Sequence, residues 1–223
     1  MIDMDELIEI RASGFDYVNC DARVVIVGIC PGNTQMIASR VGKTPREIKR
    51  ENAFAGGMRS NLVRMLDFVG VNRLLGIVTC KTLWEQDFDK VEMTSILKDA
   101  VYCNGKMFNN TSAIDRSARL TRLFRDGFVR DCAFYKSARL FIALGPGVHS
   151  ILLRLKAEGV ISADVIGLPH PSGANAGRCA AFLGCAKAGN KVDGALRWAV
   201  ERAEESIGIV RRLVARQDEF EWS

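Results

Sequence analysis

The chain has 223 residues, 48% hydrophobic and 26% charged, with a formal net charge of +5. Those proportions suit a single domain over 1–223 with a substantial core, and they exclude a disordered or low-complexity chain. No apolar run reaches the about eighteen residues that span a bilayer, and the acidic start Met1-Ile2-Asp3-Met4-Asp5-Glu6 is unlike a secretory leader, so a soluble, cytoplasmic protein is expected.

Residues 4–12 read as a helix, and 23–30 as a first buried strand that runs directly into the Pro31-Gly32 turn. Thr44-Pro45-Arg46-Glu47 has the form of a helix start, with threonine as N-cap, proline at the first helical position and glutamate at the third. After Gly56-Gly57, the spacing of Leu62, Val63, Leu66 and Val69 predicts a helix that ends at Gly70, and 74–79 reads as the next strand. A strand–helix–strand order implies a parallel crossover. Residues 81–112 are the least regular stretch, with a Cys103-Asn104-Gly105 turn, and read as an insertion or substrate-facing segment. Arg116, Arg119 and Arg122 recur every three residues with Leu120, Leu123 and Phe124 opposite them, which predicts an amphipathic helix with a basic face. A strand over 139–145, a helix over 149–156, a strand over 164–168 and a long helix over 191–216 complete the pattern. The expected fold class is α/β: a three-layer α/β/α domain around a central, mostly parallel sheet of about four strands.

Seven cysteines, at 20, 30, 80, 103, 132, 179 and 185, are odd in number and widely spaced, with no Cys-x-x-Cys. They read as reduced thiols, and the missing ligand spacing argues against zinc or iron–sulfur; no metal and no cofactor are expected. Positive charge is clustered. Residues 40–64 carry seven basic side chains against Glu47 and Glu51, and residues 101–140 carry eight against Asp115, Asp126 and Asp131, which leaves the remainder net acidic. Such clusters suit a phosphate-backbone binder, and equally two solvated helix faces. Two nucleotide-binding patterns fail. Gly42-Lys43-Thr44 lacks the glycine a P-loop needs at 37, where Ile37 stands, and Gly145-Pro146-Gly147-Val148-His149-Ser150 has serine in place of the third glycine of a dinucleotide fingerprint.

The most informative stretch is Leu168-Pro169-His170-Pro171-Ser172-Gly173-Ala174-Asn175-Ala176-Gly177-Arg178, which carries one of only two histidines. Two prolines bracket His170 and restrict its backbone, and Ser172, Asn175 and Arg178 supply donors suited to a phosphate or a nucleobase edge. Its counterpart is the strand end Gly28-Ile29-Cys30-Pro31-Gly32-Asn33, since ligands of open α/β sheets bind at strand ends and glycine lets backbone amides come close.

Together the two loops resemble the motifs of the uracil-DNA glycosylase superfamily, in which a Gly-x-x-Pro-Gly type turn and a His-Pro-Ser loop face each other across a base pocket. The likeness spans about residues 23–190 in the right order. It includes Phe54-Ala55-Gly56-Gly57-Met58-Arg59-Ser60-Asn61-Leu62, which is similar to the segment that lays an aromatic ring over the flipped base, then Leu144-Gly145 at a strand end, and the His170 loop continuing through Phe182-Leu183-Gly184-Cys185 to Asn190. The resemblance implies a monomeric DNA N-glycosylase of base-excision repair. Its substrate would be uracil or a related deaminated or damaged base in single- or double-stranded DNA, and in a bacterium it would be associated with the nucleoid. His170 is then the donor that stabilises the departing base, with Cys30 and Asn33 as candidates for orienting or activating water. Ile29, Phe54 and Cys80 would contact the base, and Gly32, Arg59, Ser172, Gly173, Asn175 and Arg178 the phosphates.

The chain also departs from that pattern. Relatives usually place Asp, Asn or Glu in the first motif, where Ile29 and Cys30 stand, and often an asparagine after the second strand, where Cys80-Lys81 follows 74–79. The position of their bulky inserting side chain is occupied by Ala174. Two further readings stay open: a member that binds DNA or a nucleobase without efficient catalysis, and an enzyme of small nucleosides or nucleotides.

Overall fold

The computed structural model describes residues 4–13, 17–32, 36, 41–185 and 194–221. In chain order the elements are β1 (Ile8–Arg11), β2 (Val24–Gly28), α1 (Pro45–Asn52), α2 (Gly57–Val69), α3 (Val71–Leu75), β3 (Val91–Ser95), β4 (Ala100–Cys103), β5 (Lys106–Met107), α4 (Ala118–Phe124), β6 (Leu140–Leu144), α5 (Pro146–Ala157), β7 (Asp164–Leu168), α6 (Ala176–Phe182) and α7 (Gly194–Glu221). Four of the strands form one parallel sheet in the order β3-β2-β6-β7 with helices on both faces, a three-layer α/β/α fold. Val24 and Ile26 face one apolar cluster with Leu62, Leu66 and Leu74, while Val25 and Val27 face the other with Leu120, Phe124 and Leu152. A strand covered on both sides has no polar face to show, so Val24–Val27 and Leu140–Leu144 are unbroken apolar runs.

Local signals hold where expected. The Thr44 side chain accepts the Glu47 N–H while the Glu47 carboxylate accepts the Thr44 N–H, a complete capping box on α1. Helix α2 ends at Gly70, whose φ of 91° lies in the left-handed region. α4 leaves Arg119 and Arg122 exposed and continues through a π-helical turn, Arg125–Val129, whereas Arg116 of the expected basic face belongs to the preceding 3-10 segment, Thr111–Arg116. The long C-terminal helix covers 194–221; residues 191–193 lie outside the described residues. No described helix is long and apolar enough to cross a membrane.

Three expectations are corrected. Residues 4–12 are a 3-10 turn, Met4–Leu7, followed by β1, where the alternation Ile8-Glu9-Ile10-Arg11 has a strand's period of two and pairs antiparallel with β4. Residues 74–79 are not a strand. Leu74 and Leu75 belong to α3 and pack into the core from a helix, Gly76 ends that helix at φ 64°, and Val78 beyond it is 95% exposed. The missing parallel strand is β3, inside the supposed insertion 81–112, which also holds β4 and β5 of a small antiparallel sheet with order β1-β4-β5.

β3 is an edge strand whose Glu92 is fully buried. It meets the Lys49 ammonium at 2.5 Å, Lys49 also donates to the Tyr17 carbonyl, and the second Glu92 oxygen accepts the Asn19 N–H at 2.8 Å. Burial pushes Lys49 below and Glu92 above their ordinary ranges, with each partner's charge opposing that shift. The pair bolts α1 to β3. Lys49→Met strands a buried carboxylate and is expected to cost about 3–5 kcal/mol in urea unfolding, whereas Lys49→Met with Glu92→Leu recovers most of the loss. A single variant as stable as the wild type would show that the pair does not hold this edge.

Candidate functional site

A cavity of about 640 Å³ opens at the carboxyl ends of the parallel strands, within the 300–1,000 Å³ typical of small-ligand pockets. Its walls come from four places: Gly28, Ile29, Cys30 and Gly32 after β2, Phe54 and Met58 around the start of α2, Gly145–Val148 at the start of α5, and Pro169, His170, Ser172, Asn175 and Arg178 after β7. Met107 of β5 and Phe108, Asn109 and Thr111 beyond it close another side together with Trp198 of α7.

β7 delivers His170 because Gly145, at φ 100°, turns its N–H onto the Leu168 carbonyl at 2.7 Å and ties the ends of β6 and β7 together. The imidazole is half-buried, and its Nδ1 accepts the Ser172 N–H at 3.3 Å. An accepting Nδ1 makes Nε2 the protonated nitrogen, so the ring is a neutral hydrogen-bond donor. Burial pushes its pKa below the ordinary histidine value, which favours the same state. Beyond it the loop interlocks: Asn175 Nδ2 donates to Ser172 Oγ at 2.9 Å and Arg178 Nη1 donates to Asn175 Oδ1 at 2.5 Å. Gly173 sits exposed at the crest, outside the cavity wall.

Phe54 lines the same cavity. It is buried yet takes φ 51°, a left-handed conformation that costs a bulky residue about 1–3 kcal/mol unless its surroundings enforce it. A methyl added at Gly28 would lie 3.5 Å from the Phe54 ring and 3.6 Å from Ser95 Oγ, so strand end, ring and hydroxyl meet at one point.

The structure thus gathers Ile29, Cys30, Gly32, Phe54, His170, Ser172, Asn175 and Arg178 around one space. Besides Gly173, it places two others elsewhere. Arg59 is turned inward, with its guanidinium 4.9 Å from the Trp84 ring centroid and hydrogen-bonded to the Glu51 and Ala53 carbonyls. Cys80 is fully buried against Asp67, whose carboxylate accepts its N–H at 2.7 Å, and burial followed by that carboxylate drives its thiol far up. Asn33 lies outside the described residues. The Cys30 thiol donates to the Phe108 carbonyl at 3.5 Å, and burial raises its pKa, so it stays protonated and is no thiolate nucleophile at neutral pH. No Asp or Glu is among the described residues lining the cavity.

Sequence reasoning missed Ser95, Asn109, Thr111 and Trp198. Ser95 ends β3, the strand that stands where 74–79 had been expected, and so takes the place given to Cys80. The failed dinucleotide pattern at 145–150 proves to be cavity wall at the first turn of α5. Gly147 has no room for a side chain there, because an added methyl would collide with Thr111. The second histidine, His149, is buried with its ring 5.9 Å from Trp198 and backs this wall.

No family model matches the chain. A protein of Bacillus subtilis (strain 168), "Uncharacterized protein YoxB", is similar to it, with 28% identity over 188 residues that cover 75% of this chain and 71% of that one.

His170 is expected to titrate with a midpoint below about 6.5 in a nitrogen-15 NMR experiment, with Nε2 carrying the proton at pH 7. The unfolded chain then binds a proton at higher pH than the folded one. The stability linked to this residue is therefore complete above about 6.5 and lost as pH falls below it towards the folded midpoint. A midpoint above 6.5 would contradict the neutral-donor geometry.

Proposed function

We propose that this protein is a DNA N-glycosylase related to the uracil-DNA glycosylase superfamily, acting on a deaminated or damaged base. The observation that carries the reading is the neutral imidazole of His170, its Nε2 proton unused by the Ser172 contact, in one cavity at the strand ends with the strained, buried Phe54 ring.

A base inside a duplex is out of reach, so it is turned out of the stack, laid on the Phe54 ring and read at its edge. The bond from C1′ to the base nitrogen breaks and its electron pair leaves with the base, where the charge spreads onto a carbonyl oxygen. His170 Nε2–H donates to that oxygen more strongly in the transition state than before it. Water then adds to C1′; its hydroxyl stays on the sugar and its proton goes to the departed base. With no carboxylate on the described lining to take that proton, the base anion is the acceptor at hand. Ser172, Asn175 and Arg178, at the rim, suit the flanking phosphates.

A second reading, a nucleobase- or DNA-binding protein without efficient turnover, is favoured by the protonated Cys30 thiol and by a lining without a carboxylate among the described residues. One experiment separates the two. Labelled single-stranded and duplex oligonucleotides carrying uracil, hypoxanthine or xanthine are incubated with the protein and assayed for abasic sites. Wild type is expected to give product from at least one, and His170→Ala to be slower by about 10²–10³-fold. No product from any, with binding that falls steeply between about 50 and 200 mM salt, would establish the binding reading instead.

A further inference from the structure

We propose that Arg59 and Asn61, neither of which lines the cavity, are positioning residues that set the gap between the Phe54 ring and the His170 imidazole. The inference rests on the reading of those two side chains as the walls that hold the base. Arg59 and Asn61 lie near the start of α2, two residues and so about 200° apart around the helix axis, and they reach two different segments of the site, Arg59 the residues before Phe54 and Asn61 the residue after His170.

Each acts on one peptide group. The Ala53 carbonyl accepts Trp84 Nε1–H at 2.8 Å and Arg59 Nη2 at 3.2 Å, which occupies both of its lone pairs. That carbonyl belongs to the same planar unit as the Phe54 N–H, so holding it fixes the plane about which φ of Phe54 is measured. The stacked Trp84 ring and the bond from Arg59 to the Glu51 carbonyl at 2.8 Å hold the guanidinium itself in place. The left-handed turn at Phe54 is thus imposed from outside the cavity. At the second segment, Asn61 Nδ2 donates to the Pro171 carbonyl at 3.0 Å. The nitrogen of that peptide is Ser172 N, whose hydrogen is given to His170 Nδ1. Asn61 grips one end of the peptide and His170 the other, so the amide of Asn61 sets both the direction of the imidazole and the nitrogen that carries its proton. One rigid helix therefore connects the ring that stacks with the ring that donates.

The two residues differ in what their loss does. Arg59→Met keeps the length and removes the fork, so the base platform loosens and KM rises about tenfold with kcat held; Arg59→Lys, which can still reach one carbonyl, recovers part of the effect. Asn61→Leu keeps the shape and removes the donor, so kcat falls about tenfold with KM held, because only donation in the transition state is misaimed. A merely structural role lowers the active fraction in both and leaves KM, and the kcat of the folded molecules, unchanged. Two spectroscopic readouts need no turnover: the fluorine-19 resonance of 4-fluorophenylalanine at position 54 moves in Arg59→Met and not in Asn61→Leu, and the nitrogen-15 resonances of His170 move in Asn61→Leu and not in Arg59→Met. If wild type turns over none of the oligonucleotides, the glycosylase reading fails and the resonances alone decide this inference. If each variant leaves its own resonance at the wild-type position, or if both resonances move together with thermal stability, the positioning role is overturned.

Discussion

The registry of the parallel sheet is the constraint on which the rest depends. Gly28 is paired with Ser95, and Leu144 with Leu168, so all four strands end at one rim. The pairing runs on past the strand ends through Ile96 N–H to the Gly28 carbonyl, Leu97 N–H to the Ile29 carbonyl and Gly145 N–H to the Leu168 carbonyl. Loops separated by more than a hundred residues therefore leave side by side. Their spacing is inherited from strand separation and needs no adjustment by the loops themselves. Proline and glycine at 31–32, 145–147 and 169–173 then bend each exit away from the sheet and leave a space between them.

The elements that were legible in the sequence are those whose environment is uniform. β2, β6 and β7 are covered on both faces, and α1 and α2 have local start or stop signals, so pattern alone locates them. β3 was hidden by its own stabilising device: Glu92 interrupts the apolar run, and only the presence of Lys49, 43 residues earlier, makes a buried carboxylate tolerable. Leu74–Thr79 misled for the opposite reason, since an apolar cluster around Gly76 serves a helix end and an exposed turn. The site shows the same division. His170, Phe54 and the Gly28–Gly32 turn could be found from local sequence, whereas Ser95 inherited the invisibility of its strand, and Arg59 looked like a phosphate ligand because nothing nearby in sequence reveals that it stacks on Trp84.

Among the described residues, the groups that face the cavity are a neutral imidazole donor, hydroxyls, amides, a protonated thiol and the Arg178 guanidinium, set on a background of aromatic rings and methionines. Such a lining suits a ligand that offers hydrogen-bond acceptors to those donors and apolar faces to those rings. The Lys49–Glu92 pair, though buried within the same region of the fold, is consumed by its own hydrogen bonds and supports the wall without facing the cavity.

Gly147 has a consequence for how this molecule can diverge. Its missing side chain is the space into which Thr111 fits, and Thr111 belongs to the strap that closes one side of the cavity. A larger residue at 147 is tolerable only if 111 shrinks or the strap lifts, so the two positions can drift only as a pair. Each such joint change reshapes one wall while the ring at 54 and the imidazole at 170 stay put. The fold can therefore alter which molecules it admits by a two-residue exchange remote from the atoms that would do chemistry.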